Sequence, residues 1–394
     1  MSHIYPETEC CDVAVVGAGP AGCSAATYLA RAGSHVVLFE RSKMPRGKPC
    51  GGALSERAMS YLGFPVPQSL VDCEVFGARA HFGDNTAEAR LPNRIAVLVT
   101  RSEFDQFLLS RAVESGAEVI WEKATSISRT PDHVAVRTAR REIIARCAIV
   151  CEGANRRLSR LAGPAIGPDQ QSFCLQADIP VASPDVYADL KGVIDVYFGV
   201  VPWGYGWLFH HGSYYSVGIG ALCSKFHDPL SAFHRFVRAR RLARSDIRPR
   251  GHFLPRGGIS RPICADRIML AGDAASFVDP FYGEGMAYAI RSGQLAAQTA
   301  RAAMQSNDFS RSRLAEYEHL CREEFGRNLR HALILTELVH RCPRPFIEML
   351  STDERALAKY LEIPSATLSY GRYIPWLLAR APLSLLRSIF RACC

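Results

Sequence analysis

A glycine-rich turn near the start of the chain constrains its fold more than any other feature. An apolar run at residues 12–16 leads into residues 17–22, which read GAGPAG, and an Ala-rich helical stretch follows to residue 32. Strand, glycine turn and helix in this order form a G-x-G-x-x-G fingerprint in the context that it requires. A second strand at residues 35–39 then ends at Glu40. The sequence therefore predicts a βαβ unit that binds a dinucleotide.

Each part of this fingerprint has a physical task. Gly17 permits the tight turn, Gly19 lets the backbone approach a pyrophosphate, and Gly22 lets the helix pack closely on the strand. The free N–H groups at the start of the helix attract phosphates. Glu40 is placed to accept hydrogen bonds from the adenosine ribose. NAD and FAD fit this pattern equally well, so the choice between them stays open here.

A second strand–turn–helix pattern favours FAD. Residues 268–271 read as a buried strand, Gly272 and Asp273 follow, and the helical stretch from Met286 begins after Gly285. A carboxylate after such a strand accepts a hydrogen bond from a ribityl hydroxyl, and a helix N-terminus stabilises negative charge on a reduced flavin. An Asp that only caps a helix is the alternative, but it does not account for the second glycine pair.

The rest of the chain predicts an interleaved α/β fold. Residues 171–225 alternate apolar and polar positions, which is typical of an antiparallel sheet, and the chain after about residue 305 has a helical period. We expect a Rossmann-like FAD-binding domain interleaved with an antiparallel β-sheet substrate domain, and a C-terminal helical region. The expected boundaries are 1–70, 100–165 and 265–305 for the FAD-binding domain, 71–99 and 166–264 for the substrate domain, and 306–394 for the helical region.

Composition limits the surroundings and the partners. The 14 cysteines are spread over 394 residues with no signal peptide before them, which favours a reducing cytoplasm over a disulfide scaffold. Cys147 and Cys151 have no second pair nearby, so we expect no metal site. No uncharged apolar run is long enough to span a membrane. The formal net charge of +9 suits a nucleotide, a phospholipid or a diphosphate, or only a solvated surface.

Several motifs in order resemble the geranylgeranyl reductase family, which sits among the FAD enzymes built like aromatic hydroxylases. Beside the opening βαβ unit they are residues 45–57, which contain KPCGGA at 48–53, the stretch TRSEFD at 100–105, and residues 272–285. The likeness extends to LSY at 368–370 and so spans most of the chain. It implies an FAD-dependent reductase that adds hydrogen across carbon–carbon double bonds of a prenyl chain on a lipid or a diphosphate.

The resemblance also implies a cofactor site. Glu40 would bind the ribose, Arg101 and the backbone near Ala124 would hold the adenosine and phosphate end, and residues 50–53 would line the flavin. Cys50 is the expected catalytic residue, because a thiol there would donate or relay a proton to the substrate carbon; a small packing residue is the alternative. The expected cofactor-binding residues are Gly17, Gly19, Pro20, Ala21, Gly22, Glu40, Arg41, Cys50, Gly51, Gly52, Ala53, Arg101, Ala124, Gly272, Asp273, Pro280, Gly283, Gly285 and Met286.

The segment PWGYGWLF at residues 202–209 is similar to the family's motif for the substrate cavity. Its three aromatic residues fall at the strand period of two and share one face, which predicts an apolar wall; core packing is the alternative. His210 stands where the family has Pro, and with His211 it is expected to form an exposed pair or to titrate near neutral pH. The expected substrate-binding residues are Tyr205, Trp207, Phe209 and His210.

One departure from the hydroxylase-like flavoproteins lies near residue 152. Glu152 and Gly153 stand where those proteins usually have an Asp-Gly pair. Because Glu is longer by one methylene, its carboxylate must be placed differently. We therefore expect Glu152 to support the cofactor site without binding the cofactor.

Other interpretations stay open from the sequence. A flavin monooxygenase or halogenase acting on an aromatic or apolar substrate shares this fold and cofactor site, and a non-catalytic flavin- or lipid-carrying module is a third. No second complete Gly-rich βαβ fingerprint is visible, so the electron donor, NAD(P)H or a ferredoxin, is open. The tail at residues 373–390 fits packing on its own domain or contact with an anionic membrane surface. We expect a cytoplasmic protein, with or without peripheral membrane contact, a hydrophobic or lipid substrate, and no nucleic-acid partner.

Overall fold

A computed structural model describes residues 9–155, 157–164, 166–182, 187–242, 247–256, 261–341 and 343–380. The strands of the first half are β1 (Glu9–Val16), β2 (Val36–Phe39), β3 (Ala53–Ser55), β4 (Cys73–Val75), β5 (Gly77–Phe82), β6 (Asn85–Arg90), β7 (Ala96–Leu98), β8 (Glu118–Ile120), β9 (Ser126–Arg129), β10 (Val134–Arg137) and β11 (Glu142–Val150). Those of the second half are β12 (Gln171–Pro180), β13 (Val193–Phe198), β14 (Gly204–His210), β15 (Tyr214–Leu222), β16 (Arg250–Pro255), β17 (Cys264–Ala265) and β18 (Ile268–Leu270). The helices are α1 (Pro20–Arg31), α2 (Glu56–Leu62), α3 (Arg101–Glu114), α4 (Pro229–Ala239), α5 (Met286–Ser306), α6 (Arg311–Cys321), α7 (Arg327–Arg341), α8 (Pro343–Thr352), α9 (Glu354–Leu361) and α10 (Tyr370–Arg380).

The first sheet contains the predicted βαβ unit. Its core is parallel, in the order β18-β11-β1-β2-β8, while β17 and the β9–β10 hairpin are antiparallel additions. The strand β1 is buried from Val13 to Val16 without alternation, as expected for a parallel strand covered on both faces. The strands predicted at residues 35–39 and 268–271 both belong to this sheet, as β2 and β18.

The turn between β1 and α1 requires glycine at two positions. Gly17 has a φ of 104°, and a Cβ there would lie 2.4 Å from the carbonyl oxygen of Cys151. A Cβ on Gly22 would lie 1.8 Å from the carbonyl oxygen of Gly17. The helix α5 crosses α1 equally closely, because a Cβ on Gly293 would lie 2.1 Å from the carbonyl oxygen of Ala21. Since α1 and α5 follow β1 and β18, both begin at the carboxyl edge of the parallel strands.

The second sheet has seven strands in the order β16-β12-β15-β14-β13-β5-β6. It is antiparallel, as predicted, except for the parallel pair β5–β13. The strands β5 and β13 are not joined by a hairpin, because the chain leaves the second sheet after β6, forms strands of the first sheet, and returns at β12. Their relative direction is therefore not fixed by a short turn. A small sheet, β3-β7-β4, completes the β structure. The predicted α/β fold class is therefore confirmed, and the domain boundaries stay a prediction.

The C-terminal helices cover one face of the second sheet. Leu357 and Leu361 of α9 pack in one apolar cluster with Trp207 and Phe209 of β14, while α4 packs on the opposite face. Of the predicted amphipathic tail at residues 373–390, only 373–380 are described; the rest lies outside the described residues. Tyr373 in this part is buried and stacks on Trp376. None of the described helices is long and apolar enough to cross a membrane.

We expect Gly22→Ala to destabilise the protein by about 3 kcal/mol, because the added methyl group meets a backbone oxygen that has no rotamer to change. Urea unfolding followed by circular dichroism measures this change. Gly167→Ala is the control, since Gly167 has a φ of −83° and a Cβ there meets nothing within 4 Å. Its effect should stay within about 0.5 kcal/mol. Equal stability of the two variants would contradict the packing account.

Candidate active site

Two connected cavities lie at the carboxyl edge of the first sheet. The first runs along the β1–α1 turn and reaches Glu40, Ala124 and Asp273. The second runs from residues 48–53 across the second sheet to α9. Both touch Lys48 and Arg101, so they meet there. The first cavity is lined, among the predicted cofactor residues, by Gly17, Gly19, Pro20, Ala21, Glu40, Arg41, Arg101, Ala124, Gly272 and Asp273.

The start of α1 offers unsatisfied donors to the first cavity. Gly19 is the N-cap residue, and no side chain caps the helix. A Cβ on Gly19 would meet only Nη2 of Arg46, at 3.7 Å, so open space lies in front of the turn. The buried Nε of Arg46 makes no hydrogen bond to any described residue. Free N–H groups, a guanidinium and open space together fit a bound pyrophosphate.

Glu40 is oriented at the end of β2 by its neighbours. Its side chain is buried, Oε2 accepts a hydrogen bond from the Ala18 N–H at 2.9 Å, and Oε1 accepts one from the Ser42 N–H at 3.0 Å. Each carboxylate oxygen keeps a lone pair for a further donor, such as a ribose hydroxyl. Glu152 is used differently, since its Oε1 accepts the N–H groups of Leu158 and Ser159, both at 2.7 Å. These contacts fit the supporting role expected for Glu152.

Asp273 belongs to a buried charged group where the cavities meet. Its Oδ2 lies 3.3 Å from Nζ of Lys48 and 4.0 Å from Nε2 of His252. Burial alone would raise the pKa of Asp273, but Lys48 and His252 outweigh it and hold that pKa well below its usual range. Burial also lowers the pKa of His252, whose Nε2 makes no hydrogen bond to any described residue. Asp273 is therefore an ionised acceptor beside a neutral ring that is available to a ligand.

The loop at residues 50–53 lines the second cavity next to the junction, and none of its residues lines the first. Gly52 has a φ of 76°, and its N–H points to Sγ of Cys50 at 3.4 Å. A Cβ on Gly51 would lie 2.6 Å from the ring of Phe209, so the loop rests directly on β14. Arg101, which forms a two-pronged pair with Asp105 at 2.8–3.0 Å, lines the second cavity together with Cys50. Cys50 thus sits between a cation and the open junction.

The second cavity has mainly apolar walls. Tyr205, Trp207 and Phe209 share one face of β14, as the period of two predicts, and all line it. The hydroxyl of Tyr205 donates to the Tyr282 carbonyl at 2.5 Å, which turns its polar end away from the cavity. The opposite and lateral walls are contributed by Ala78, Ala80, Ile194, Val196, Leu357 and Leu361. Such a groove accepts an extended apolar molecule.

The two neighbouring histidines are buried, at 1% exposure for His210 and 4% for His211, so the expectation of an exposed pair is wrong. The reason is that β14 runs between two strands up to His210, and the following turn folds His211 under the loop at 50–53. His210 falls out of phase with the aromatic residues of β14 and does not line the second cavity. Its Nδ1 accepts the Gly212 N–H at 3.0 Å, so the structure does not bring His210 together with the predicted substrate residues.

The loop before α5 completes the junction. Gly283, Gly285 and Met286 line the second cavity, and α5 begins after Gly285 without a side-chain cap. Pro280 and Gly22 lie outside both cavity walls, so the structure does not bring them together with the other predicted cofactor residues. In the same loop, Oδ1 of Asp279 accepts the N–H groups of Phe281 and Tyr282 and the hydroxyl of Tyr370. Burial nevertheless raises the pKa of Asp279 to about 7.

Sequence reasoning did not assign functional roles to three residues of this site. Lys48 and Arg46 stand in or beside the quoted KPCGGA segment, and their charge next to a cofactor motif was the available signal. His252 lies on β16, more than 200 residues from the loop at 50–53, and no local pattern marks it.

Comparisons with known proteins identify relatives of this chain. A family model described as lycopene cyclase protein matches residues 12–177. The chain is 30% identical over 335 residues to digeranylgeranylglycerophospholipid reductase 1 of Methanothermobacter thermautotrophicus, covering 80% of this chain and 83% of that one. A crystal structure described as geranylgeranyl bacteriochlorophyll reductase-like, from Thermoplasma acidophilum, superposes with a TM-score of 0.80 at 26% identity, covering 98% of this chain and 100% of that one. A flavin-dependent brominase superposes with a TM-score of 0.73 at 18% identity, covering 92% and 94%, which is a likeness of fold alone.

We expect the free energy of unfolding of Asp279→Asn, measured relative to that of wild type, to increase as the pH rises from about 4 to about 8. The pKa of Asp279 is raised from 3.8 to about 7, so in this window the folded state holds a proton that the unfolded state has lost, and the wild type loses stability as pH rises. Asn keeps the Oδ1 acceptor and carries no charge. The difference should grow by a few kcal/mol, at about 1.4 kcal/mol per pKa unit, in urea unfolding at each pH. A difference independent of pH would show that Asp279 is ionised throughout.

Proposed function

Because the chain belongs to the geranylgeranyl reductase family of FAD-dependent oxidoreductases, we propose that it saturates carbon–carbon double bonds of a geranylgeranyl-type chain on a lipid or a diphosphate. The observation that carries this proposal is the apolar cavity that opens into the cofactor cavity at the Cys50 loop. A prenyl chain lying along Trp207 and Phe209 would bring its double bonds to that loop in turn. The groove supplies mainly apolar contacts, which is what an alkene requires.

The first cavity is proposed to hold FAD. Glu40 would bind the adenosine ribose, the start of α1 with Arg46 would bind the pyrophosphate, and Asp273 would accept from the ribityl chain. The start of α5 at Gly285 and Met286 would place its positive end near the flavin ring. When bound and reduced, FAD supplies the hydride that one alkene carbon accepts.

Cys50 is proposed to supply the proton to the neighbouring carbon. A thiol that gives up its proton leaves a thiolate, and two neighbours stabilise that negative charge: the Arg101 guanidinium and the Gly52 N–H. Asp105 holds Arg101 by two oxygens and so keeps the cation at this position. An unactivated double bond resists hydride attack, so the wall at Trp207 and Phe209 must also align it beside the thiol.

The electrons are proposed to come from an external donor, NAD(P)H or a ferredoxin. Within the described residues there is one βαβ unit with the complete glycine fingerprint, and the proposed FAD site uses it. Anaerobic mixing of the holoenzyme with NADPH, NADH or a reduced ferredoxin distinguishes these donors by the loss of the flavin absorbance band.

The proposal is tested by anaerobic reoxidation. The FAD-loaded protein is reduced with dithionite and mixed with geranylgeranyl diphosphate or with a digeranylgeranylglycerophospholipid, and the oxidised-flavin band is followed. We expect the band to return without oxygen, and the lipid to gain about two mass units per bond because one hydride and one proton are added. A band that returns only after oxygen is admitted would overturn the reductase assignment. An oxygenated or halogenated product would then favour a monooxygenase or a halogenase, and the absence of any product would favour a non-catalytic flavin protein.

Replacing Cys50 tests proton donation to the substrate separately from FAD binding. We expect Cys50→Ala to bind FAD and to be reduced by dithionite like the wild type, and to be reoxidised by the prenyl substrate about 100- to 10,000-fold more slowly, the usual range for loss of a general acid. Stopped-flow absorbance measures both half-reactions. Cys73→Ala is the control, because this partly exposed thiol lies on β4 and lines neither cavity. A Cys50→Ala rate within about threefold of wild type would reduce Cys50 to a packing role.

A further inference from the structure

His211 is buried beneath the loop that carries Cys50, although it lies outside the motifs of the cofactor and substrate sites. Its exposure is 4%, and its ring touches the loop from below: a Cβ on Gly52 would lie 2.7 Å from Cε1 of His211. No cavity described above includes His211 in its wall. A polar ring in this position requires hydrogen-bond partners.

One ring nitrogen faces the loop. Nε2 of His211 lies 3.0 Å from the Gly51 carbonyl oxygen. A carbonyl oxygen only accepts hydrogen bonds, so Nε2 must carry the hydrogen and donate it. This bond reaches the residue between Cys50 and Gly52, at the centre of the flavin-facing turn.

The other ring nitrogen is held by a polar network. Nδ1 of His211 lies 2.8 Å from Oδ2 of Asp72 and 3.0 Å from the hydroxyl of Tyr214. Thr100 joins these two partners, with Oγ1 at 3.0 Å from Asp72 and 2.9 Å from Tyr214. The ring of Tyr214 stacks on His211 with centroids 4.5 Å apart at 14°. The Asp72 carboxylate only accepts, so Nδ1 also carries a hydrogen, and the ring donates to Asp72 and to Gly51 at the same time.

The carbonyls of Gly52 and Cys50 in the loop accept other hydrogen bonds, while the bond at Gly51, the centre of the loop, comes from His211. The Gly52 carbonyl accepts the Val99 N–H at 2.9 Å, and the Cys50 carbonyl accepts a long hydrogen bond, 3.4 Å, from the Ser216 hydroxyl. Both glycines lack side chains that could anchor the turn. The half-buried Gly51 carbonyl would lose this donor if His211 were removed, which would weaken the hold on the turn.

We propose that His211 is a positioning residue: held by Asp72, it donates Nε2–H to the Gly51 carbonyl and so sets the position of Cys50 and of the backbone that faces the flavin. The consequence for double-bond reduction rests on the proposed function. The consequence for the loop does not, because it concerns only the protein's own bonds.

The test compares two histidines in matched surroundings. His211→Phe removes the donor and keeps a ring to stack on Tyr214. His81→Phe is the control, because His81 also faces a buried aspartate, Asp195 at 3.1 Å, and stacks on a tyrosine, with centroids 4.3 Å apart, but it lies on β5 away from the loop. Hydrogen–deuterium exchange of the peptides covering residues 49–55 and 96–101 is measured in the whole protein, with the alkylation rate of Cys50 by iodoacetamide as a second readout.

We expect exchange and Cys50 alkylation to rise by about tenfold in His211→Phe and to stay within about twofold in His81→Phe, as loss of one buried hydrogen bond predicts. Asp72→Asn should also raise loop exchange and Cys50 alkylation, but by less than His211→Phe does. If His211→Phe does not fold, Asp72→Asn takes its place in the comparison. Equal loop exchange in the two histidine variants would overturn the proposal.

A kinetic measurement completes the test. In the FAD-loaded protein, His211→Phe should slow reoxidation by the prenyl substrate by about tenfold while the Kd for FAD changes by less than about twofold. Faster exchange with an unchanged reoxidation rate would overturn the positioning role. If wild type itself is not reoxidised by any prenyl substrate, the proposed function fails, and the exchange and alkylation rates alone decide whether His211 holds the loop.

Discussion

The close approach of backbone to backbone at the β1–α1 turn is the constraint on which the rest of the structure depends. Gly17 lies against the Cys151 carbonyl, and Gly22 lies against Gly17 itself. Because α5 crosses α1 just as closely at Gly293, two helices begin at the same edge of the sheet. The positive end of α1 faces the first cavity and that of α5 faces the second, near the junction of the two, and neither is capped by a side chain. An anionic cofactor with phosphates at its centre and a reducible ring at its end matches this arrangement.

The second sheet provides an apolar groove, which the first sheet cannot provide. Parallel strands with helices on both faces leave little room for a long apolar ligand, whereas β14 has one face free to line a groove under α9. At the junction, Lys48 pairs with Asp273 and Arg101 pairs with Asp105. The Cys50 loop lies between these pairs and the aromatic wall of β14.

The sequence predicts well those features that neighbouring residues encode. The glycine fingerprint, Glu40 at the end of β2, and the common face of Tyr205, Trp207 and Phe209 follow from short-range spacing. The fold class and the family follow from several such motifs in order. What the sequence does not reveal depends on contacts across long separations: Lys48 with Asp273 over 225 residues, and His211 with Gly51 over 160. The burial of His210 and His211 was missed because two adjacent polar residues look the same in an exposed turn and beneath a loop.

The walls of the second cavity have a consequence for selectivity. Alanine, valine and leucine side chains distinguish ligands by volume and shape alone, and one methylene more or less in such a pocket changes the free energy of binding by only about 1–3 kcal/mol. Among chains of similar thickness, therefore, discrimination by this groove is modest. Under the proposed function, the isoprenoid processed in a cell would depend largely on which one is abundant, and a new lipid could be adopted through a few changes in side-chain size, without rebuilding the cofactor site.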